Sequence, residues 1–320
     1  MSIKKLGAVL AAAVIAALAV TITAFADSKG VRISEKNFPD EIFRSYVSEN
    51  FDTDSNGYLS KDERKAVTEI NVGVEWDGYK WDNMVKSLKG VEYFTRLKKL
   101  DCTECNLTSI DVSKNTRLTH LLCSGSLFTE LDVSSNTKLK WLECDRADHF
   151  GRGGIKHLDV SNNEELEYLY CGGNDIEELD LSKNAKLKVL EVSFCEMKKL
   201  DVSQNTELEK LYCNQSGLKK LDVSKNTKLK LLCCNGNKLK KLNLKNNTKL
   251  VEVLCFGNRL ESLDVSGCKN LKSLNCSDNK LTELDISGCP KLTKLYRGGS
   301  NKLAVEDIDV SSNPKLKDIR

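Results

Sequence analysis

Apolar residues recur along this chain with a fixed spacing of 21 positions. Each copy opens with Leu-x-x-Leu-x-Cys and continues into a second half that reads Leu-x-x-Leu-Asp-Val-Ser-x-Asn. The first copy begins at Leu97 and the last at Leu316, and the step departs from 21 only after Leu139, where it is 27, and after Leu292, where it is 24. A fixed period of this length is typical of a solenoid, in which each copy forms one coil and stacks on the next.

The apolar positions of each copy fall at six places, counted from its first Leu. These are places one, four and six in the first half and places eleven, fourteen and sixteen in the second half. In stacked coils such places point inward and form one continuous core. Both halves approximate the Leu-x-x-Leu-x-Leu-x-x-Asn pattern whose strand lies at Leu-x-Leu. The sequence therefore predicts short stacked strands and leaves open which half forms the main sheet.

This combination of period and motif resembles a known family. From Leu97 to Arg320 the sequence is similar to the internalin-type leucine-rich repeat proteins of Gram-positive bacteria, and specifically to the 21-residue class with Cys in the repeat. The resemblance implies an α/β repeat solenoid, mainly β with short turns and 3-10 segments, over residues 97–320. It also implies a scaffold for binding, since leucine-rich repeats carry many functions.

The thirteen cysteines follow the repeat rather than a disulfide framework. Although a Cys-rich secreted protein usually carries disulfides, side chains at one place of stacked parallel strands point the same way and make poor disulfide geometry. A free Cys packs as a small apolar residue. We therefore predict an interior thiol column, with a second short column at Cys268 and Cys289. The main column comprises Cys102, Cys123, Cys144, Cys171, Cys213, Cys234, Cys255 and Cys276.

A polar residue also repeats, at place nineteen. An Asn side chain there can donate hydrogen bonds to the backbone of successive coils and satisfy carbonyl groups that would otherwise be buried without a partner. We predict an Asn ladder beside the apolar core. Its members are Asn115, Asn136, Asn163, Asn184, Asn205, Asn226 and Asn247.

A calcium-binding motif precedes the repeats. Residues 52–63 read DTDSNGYLSKDE and match the twelve-residue EF-hand loop. Gly57 stands at position six, where the backbone turns sharply, and Leu59 is the apolar residue at position eight. Oxygen donors are what Ca²⁺ prefers. The predicted ligands are Asp52, Asp54, Asn56, the main-chain carbonyl of Tyr58, Ser60 and the bidentate Glu63.

Helical patterns flank this loop. Apolar residues recur at helical spacing over residues 37–51, and a second helix is predicted from Ser60 through Val67 and Ile70. The unit, residues 27–70, resembles an EF-hand and one half of a dockerin. A dockerin has a second, duplicated calcium loop, which this sequence lacks, so we expect one structural Ca²⁺ rather than a cooperative switch. The alternative is an Asx-rich polar turn between two helices.

The first 26 residues have the pattern of a secretory signal peptide. A basic start at residues 4–5 precedes an apolar run over residues 6–20, and residues 24–26 form an A-x-A cleavage signal. The run is too short for a comfortable membrane span. We therefore predict a secreted, extracellular protein of a bacterium, most simply a Gram-positive one. It is expected to be released or held at a surface by something else.

Residues 71–96 are expected to close the N-terminal end of the solenoid. They contain two pieces that look like a degenerate repeat, Val85–Leu88 and Val91–Phe94. An open solenoid end exposes its core, so terminal repeats need a cap. Trp76 and Trp81 are interpreted as packing within this cap, and a sugar-binding aromatic pair is the alternative.

The outward places beside the Cys column vary from copy to copy, whereas the second half is nearly constant. If the first half forms the sheet, four aromatic residues make an exposed stripe, and such side chains on a rigid sheet are typical recognition anchors. Scattered surface aromatics are the alternative. The insertion at residues 146–154, which holds His149, is either a specificity loop or a neutral insertion. The predicted ligand-binding residues are Trp141, Tyr168, Tyr170 and Tyr212.

Charge and motif content bound the function. The chain has 49 basic and 46 acidic residues, and cleavage would remove two of the basic ones. This balance argues against nucleic-acid or polyanion binding as the main task. Because no nucleophile–base pair, phosphate loop or carboxylate pocket is evident, we predict a non-enzymatic, monomeric protein that binds a protein or glycan. The alternatives are a carbohydrate-associated accessory module of a secreted glycan-degrading system and a structural surface component.

Overall fold

The computed structural model describes residues 30–74, 84–146, 153–303 and 308–320. The predicted signal peptide, Trp76, Trp81 and His149 lie outside the described residues. Within these ranges the chain forms a small N-terminal helical unit followed by a parallel β-solenoid. The predicted fold class, a leucine-rich repeat solenoid behind a small helical cap, is confirmed.

The N-terminal unit is built around the 52–63 loop. Helix α1 spans Glu41–Phe51 and is capped by Asp40, whose side chain accepts a hydrogen bond from the Phe43 backbone. Strands β1 (Val31–Arg32) and β2 (Tyr58–Leu59) pair antiparallel across the loop. Helix α1 therefore begins four residues later than the start of the predicted helical region.

Helix α2 is shorter than the sequence predicts. It spans Lys61–Ala66, and Val67 already has an extended backbone with φ −71° and ψ 115°. The prediction of a helix through Ile70 is wrong, because residues Glu69–Asn71 form strand β3, in which Ile70 lies opposite Leu100 of the first repeat. The secondary structure of this segment is therefore determined by pairing with the solenoid rather than by the helical spacing of its apolar residues.

The solenoid is organised by one parallel sheet of twelve strands. In the repeats each strand occupies places three to five, and the central apolar residue points into the core. The first half of the repeat therefore forms the main sheet. Its strands are β3, Lys99–Asp101 (β4), His120–Leu122 (β5), Trp141–Glu143 (β6), Tyr168–Tyr170 (β7), Val189–Glu191 (β8), Lys210–Tyr212 (β9), Leu231–Cys233 (β10), Glu252–Leu254 (β12), Ser273–Asn275 (β14), Lys294–Tyr296 (β15) and Asp318–Ile319 (β16).

The second half of the repeat forms a different face of the coil, mostly as turns. Two of its segments pair as a separate small parallel sheet, Lys241–Asn243 (β11) with Ser262–Asp264 (β13). The one 3-10 helix in the described ranges, Val91–Tyr93, lies before the first repeat. In the described repeats, the connections between strands are therefore non-helical turns rather than the 3-10 segments that were expected.

The cysteines line the interior as predicted. All thirteen are buried free thiols, and stacked members contact the next coil through their sulfur atoms, as when Cys123 Sγ lies 3.1 Å from the Glu143 carbonyl. Cys268 and Cys289 take the place of the ladder Asn, with Sγ 3.5 and 3.4 Å from backbone carbonyls of the preceding coil. Burial raises the pKa of these thiols, to about 12 for Cys268. They therefore behave as core side chains.

The predicted Asn ladder is also present. The Nδ2 atom of Asn205 donates to the Leu181 and Asn184 carbonyls at 3.1 and 2.9 Å, and the same pattern recurs in each coil that carries this Asn. A second ladder, at place nine, was not predicted. There Asn237 Nδ2 donates to the Cys213 and Cys234 carbonyls at 2.7 and 3.0 Å. Both ladders satisfy backbone groups that the narrow coil leaves without β partners.

The N-terminal unit covers the first coil with aromatic side chains. Phe51 packs edge-on against Phe94 at 5.3 Å between ring centroids, and Phe38 contacts Phe43 at 6.0 Å. Asp40 also links the helical unit to the segment before the first repeat, because its second carboxylate oxygen accepts hydrogen bonds from the backbone of Lys86 and Ser87. The exposed end of the core is thus closed by a small helical unit.

Candidate functional site

The 52–63 loop brings three carboxylates together. Oxygen atoms of Asp52, Asp54 and Glu63 all lie within 4.8 Å of one another. That separation is close to twice a Ca²⁺–oxygen distance of about 2.4 Å, so one ion could contact all three. The sequence order of these residues would suit any polar turn, and their convergence adds a geometry that could hold a cation.

The loop backbone is held by the same side chains. Asp52 accepts hydrogen bonds from the Asn56 and Gly57 backbone at 3.1 and 2.9 Å, and it is itself only 8% exposed. Asn56 Oδ1 in turn accepts from the Tyr58 backbone at 2.8 Å. The turn at Gly57, with φ +78°, is one that favours glycine. Hydrogen bonds within the loop therefore help to hold the carboxylates in position.

Glu63 is fixed from both ends of the loop. Its carboxylate accepts hydrogen bonds from the Thr53 backbone and hydroxyl, both at 2.7 Å, and from the Ser60 backbone at 2.8 Å. Desolvation raises the pKa of Glu63, but these hydrogen bonds outweigh it and lower the pKa to about 2. The group is a carboxylate at every physiological pH and needs no deprotonation to bind a cation.

The three carboxylates could hold one metal ion, and a neighbouring strand supports the loop. Leu59 of the loop pairs with Val31 of β1, and Leu59 is fully buried. Gly30 makes this approach possible, since a Cβ there would lie 2.2 Å from the Leu59 carbonyl oxygen. Strand β1 therefore covers the free edge of β2 within the loop.

A stack of aromatic rings lies on the outward face of the main sheet. Trp141 on β6 stacks on Tyr168 of β7 with 4.2 Å between ring centroids, and His120 of β5 lies 6.2 Å from Trp141 on the other side. Tyr170 lies 5.9 Å from Trp141. The rings follow one another because the register places His120, Trp141 and Tyr168 opposite each other. These four residues are called the aromatic patch below.

The fourth predicted aromatic lies apart from this patch. Tyr212 is on β9, two strands from Tyr170, and Glu191 of β8 stands between them in the register. The structure thus brings together three of the four predicted ligand-binding residues. It adds His120, whose imidazole pKa is lowered by desolvation and by the nearby Lys99 and Lys140.

Two half-buried carboxyl groups, Asp145 and Glu191, flank the patch and were missed by sequence reasoning. Both approach Gly172 on the intervening coil: a Cβ at that glycine would lie 3.4 Å from Asp145 Oδ1 and 2.8 Å from Glu191 Oε1. The Gly172 N–H donates to Asp145 at 2.6 Å, and Ser193 donates to Glu191 through its backbone and hydroxyl. A side chain at Gly172 would displace the Glu191 carboxylate from this position.

Burial gives the acidic pair unusual titration. Desolvation raises the pKa of Asp145 to about 6 and that of Glu191 to about 7, despite the hydrogen bonds each accepts. Near neutral pH these groups can therefore accept or donate hydrogen bonds. Glu143 is a further acid beside them, and its Oε1 accepts from Trp141 Nε1 at 2.6 Å. The sequence could have indicated this pair, because the coils on either side of Gly172, which is at place seven, carry an acid at place seven (Asp145) and at place five (Glu191).

Comparisons with known proteins place this geometry in a family. The sequence model of the leucine-rich repeat matches residues 270–296. The functional domain of InlJ from Listeria monocytogenes, whose structure includes a cysteine ladder, matches with a TM-score of 0.68 and 30% identity, over 90% of this chain and 70% of that one. No curated protein matches the sequence.

Two more distant structures share the fold. The internalin InlF from Listeria monocytogenes matches with a TM-score of 0.67 at 20% identity, over 91% of this chain and 97% of that one. A leucine-rich repeat protein from Leptospira interrogans matches with a TM-score of 0.64 at 16% identity, over 82% and 75%. The fold and the interior columns define a cysteine-ladder leucine-rich repeat protein. This chain belongs to the internalin-like leucine-rich repeat proteins, and the predicted resemblance is confirmed.

The family and fold support a protein-binding role. Internalin-like repeat proteins are generally binding proteins rather than enzymes. In the described part of the chain no helix is long and apolar enough to cross a membrane.

Proposed function

We propose that this protein is secreted and binds a partner protein through the aromatic patch on its main sheet. The observation that carries the proposal is the Trp141–Tyr168 stack, with 4.2 Å between ring centroids, on the outward face of the main sheet. Secretion rests on the apolar and A-x-A pattern of residues 1–26. We take the chain to act as a monomer outside a bacterial cell.

The patch has the composition of an interface centre. Trp and Tyr are the residues that most often dominate binding energies, since they supply large rigid contact areas with a polar tip. Mutual stacking already restricts the rings, so less side-chain entropy is lost on binding. The adjoining Glu143, Asp145 and Glu191 favour a partner that presents basic or hydrogen-bonding side chains beside an apolar one.

An interaction screen with the intact chain tests this proposal. Surface proteins of candidate partner cells would be captured with the unaltered protein and with a Trp141→Ala/Tyr168→Ala variant. Loss of two anchors should weaken binding at least about thirtyfold, because truncation of one interface anchor costs ~2 kcal/mol. Tyr296→Ala, at the far end of the same sheet, is the matched control and should retain the partner. Equal capture by all three proteins would contradict the assignment of the patch.

A glycan is the second candidate ligand. The observation that favours it is the row of ring faces at His120, Trp141 and Tyr168 with carboxyl groups alongside, since flat aromatic surfaces and hydrogen-bonding acids also suit sugar rings. The protein would then be an accessory module that holds a glycan-degrading system on its substrate. A glycan array probed with the same three proteins separates the two candidates: binding abolished only in the Trp141→Ala/Tyr168→Ala variant would favour the glycan.

We also propose one structural Ca²⁺ in the 52–63 loop. The convergence of Asp52, Asp54 and Glu63 within 4.8 Å supports it. The Asn56 amide, the Tyr58 carbonyl and Ser60 would complete the ligands. The ion would cross-link the end of α1 to the start of α2 and so fix the cap.

A further inference from the structure

We propose that a basic groove on the second-half face of the solenoid binds a linear sulfated polysaccharide. The groove has a volume of about 680 Å³ and lies between two successive coils, on a different face from the aromatic patch. The proposal goes beyond the protein-binding function and rests on separate residues. The lysines and the one acid that line the groove are Lys219, Lys220, Lys240, Lys241, Lys245 and Asp222.

The charge arises from lysine doublets at one place of the repeat. Lys219–Lys220 and Lys240–Lys241 stand one 21-residue period apart, at places twelve and thirteen, and Lys245 follows the second doublet. All five lysines are exposed. Successive coils stack at about the spacing of paired strands, ~4.8 Å, so the two doublets lie side by side. The result is a compact cluster of ammonium groups.

Few acids among the described residues balance these ammonium groups: Asp222 lines the groove, and Asp264 interacts electrostatically with Lys245. Among the described residues, none of the five lysines takes part in an ion pair. The doublet on the preceding coil is different, because Lys198 pairs with Glu177 at 2.6 Å and Lys199 with Asp201 at 3.7 Å. The same places therefore carry ion-paired lysines on one coil and, in the described part of the chain, lysines outside ion pairs on the next two.

A substitution in the otherwise constant half of the repeat increases this charge. Most copies have an Asp at place fifteen, and its Oδ1 accepts a hydrogen bond from the backbone N–H two residues later. Asp222, for example, accepts from Ser224 at 2.9 Å. At the groove this Asp is replaced by Asn243, which accepts from the Lys245 backbone at 3.0 Å. The hydrogen bond is kept, a negative charge is lost, and Lys replaces the usual Ser. Because Asp and Asn make the same hydrogen bond at this place, the turn does not require the change from Asp to Asn.

Neighbouring grooves show that shape and charge are independent. A similar groove two coils earlier is lined by Glu178, Asp180 and Asp201 with a single lysine, Lys199. Another, towards the C-terminus, is lined by Asp264, Glu283, Asp285 and Asp309 and by no lysine. The repeat lattice thus supplies the groove, and of these three grooves in the described residues the one at Lys219–Lys245 is strongly basic. This difference in charge between the grooves favours an anionic ligand for the basic one.

The lining residues favour a sulfated polysaccharide over a nucleic acid. Among the described residues that line the groove, none is aromatic, so bases would have no stacking partner. Lysine ammonium groups are point charges that suit anions at variable orientation, whereas planar bidentate recognition calls for arginine. A flexible linear polymer with sulfate groups along its length matches a cluster that spans adjacent coils.

Binding of a heparin oligosaccharide, measured by calorimetry at about 50 mM salt, tests the site. The double substitution Lys220→Gln/Lys241→Gln should weaken binding about thirtyfold, if each lysine contributes as it does near an anionic surface. Asn243→Asp keeps the Oδ1 acceptor and should weaken binding about fivefold, whereas Asp222→Asn should strengthen it by a similar factor. Asp132→Asn, at the same place on a distant coil, is the control and should change nothing.

The outcomes separate this site from the aromatic patch. Trp141→Ala should leave heparin affinity unchanged, so failure of either proposal leaves the other standing. No saturable heparin binding by the unaltered protein, or equal affinities for Asn243→Asp and Asp222→Asn, would overturn the proposal. An oligonucleotide of equal charge that binds as tightly, with the same response to these substitutions, would overturn the choice of a sulfated polysaccharide.

Discussion

At the scale of single residues, the 52–63 loop shows how one carboxylate can organise a candidate cation site. Glu63 caps α2, bridges to Thr53 across the loop, and is ionised well below neutral pH. One of its oxygens lies within 4.8 Å of oxygens of Asp52 and Asp54. These hydrogen bonds help to order the loop, which favours a structural role for a bound ion over a large ion-driven change.

We predict that Glu63→Gln removes most of the stabilisation that calcium gives to the N-terminal unit. Glutamine keeps one oxygen acceptor but loses the charge and the bidentate ligand. An ion bound at ten to a hundred times its dissociation constant stabilises the folded state by about 1.4–2.7 kcal/mol, and the variant should lose nearly all of it. Thermal unfolding with and without millimolar CaCl₂ measures the difference.

The neighbouring Asp62 provides the matched control for this test. It is exposed, lies on the same turn of α2, and is not among the converging carboxylates. Asp62→Asn should respond to calcium as the unaltered protein does. An equal calcium response from Glu63→Gln would show that the loop does not bind the ion through this residue.

At the scale of the coil, the Asn ladder contributes what the short strands cannot. Each strand from β4 to β15 has three residues, so most of a 21-residue coil lies outside the sheet and its carbonyls need other donors. The side chain of Asn205 supplies two such bonds to the preceding coil. Sulfur contacts at Cys268 and Cys289 take over this place near the C-terminus.

We predict that Asn205→Ala destabilises the solenoid by about 2–6 kcal/mol, because two buried carbonyls lose their donor and each costs ~1–3 kcal/mol. Asn205→Cys should cost less, since the protein already accepts a thiol at this place in two coils. Urea unfolding of both variants checks the order. A Cys variant as unstable as the Ala variant would show that sulfur contributes no useful contact here.

How far sequence predicts structure depends on whether a signal repeats. The inward-pointing Leu and Cys positions were predicted correctly because about ten copies carry the same residue types at the same places. The ladder Asn was found in the same way. The end of α2 was misplaced because Glu69–Asn71 is a strand only through its pairing with β4. The acidic pair was missed because Asp145 and Glu191 lie 46 positions apart and meet only across Gly172.

At the scale of the whole molecule, the faces of the solenoid differ in charge and composition. Nearly equal numbers of basic and acidic residues conceal a strongly basic groove, because the opposite charges are concentrated on other coils. Sequence totals therefore argued against a polyanion as the main ligand without excluding a local site. The doublets Lys219–Lys220 and Lys240–Lys241 are visible in the sequence once residues are sorted by place in the repeat.

The interior column leads to a prediction about the complete chain. All thirteen cysteines are buried free thiols, and burial raises their pKa, so they should resist thiol reagents in the native state. After denaturation without reductant, colorimetric titration should find thirteen thiols per chain. The native protein should show close to none. A denatured count lower by two or more would reveal a disulfide and contradict the thiol ladder, whereas rapid native labelling would show that the stacked coils open far more readily than a continuous core permits.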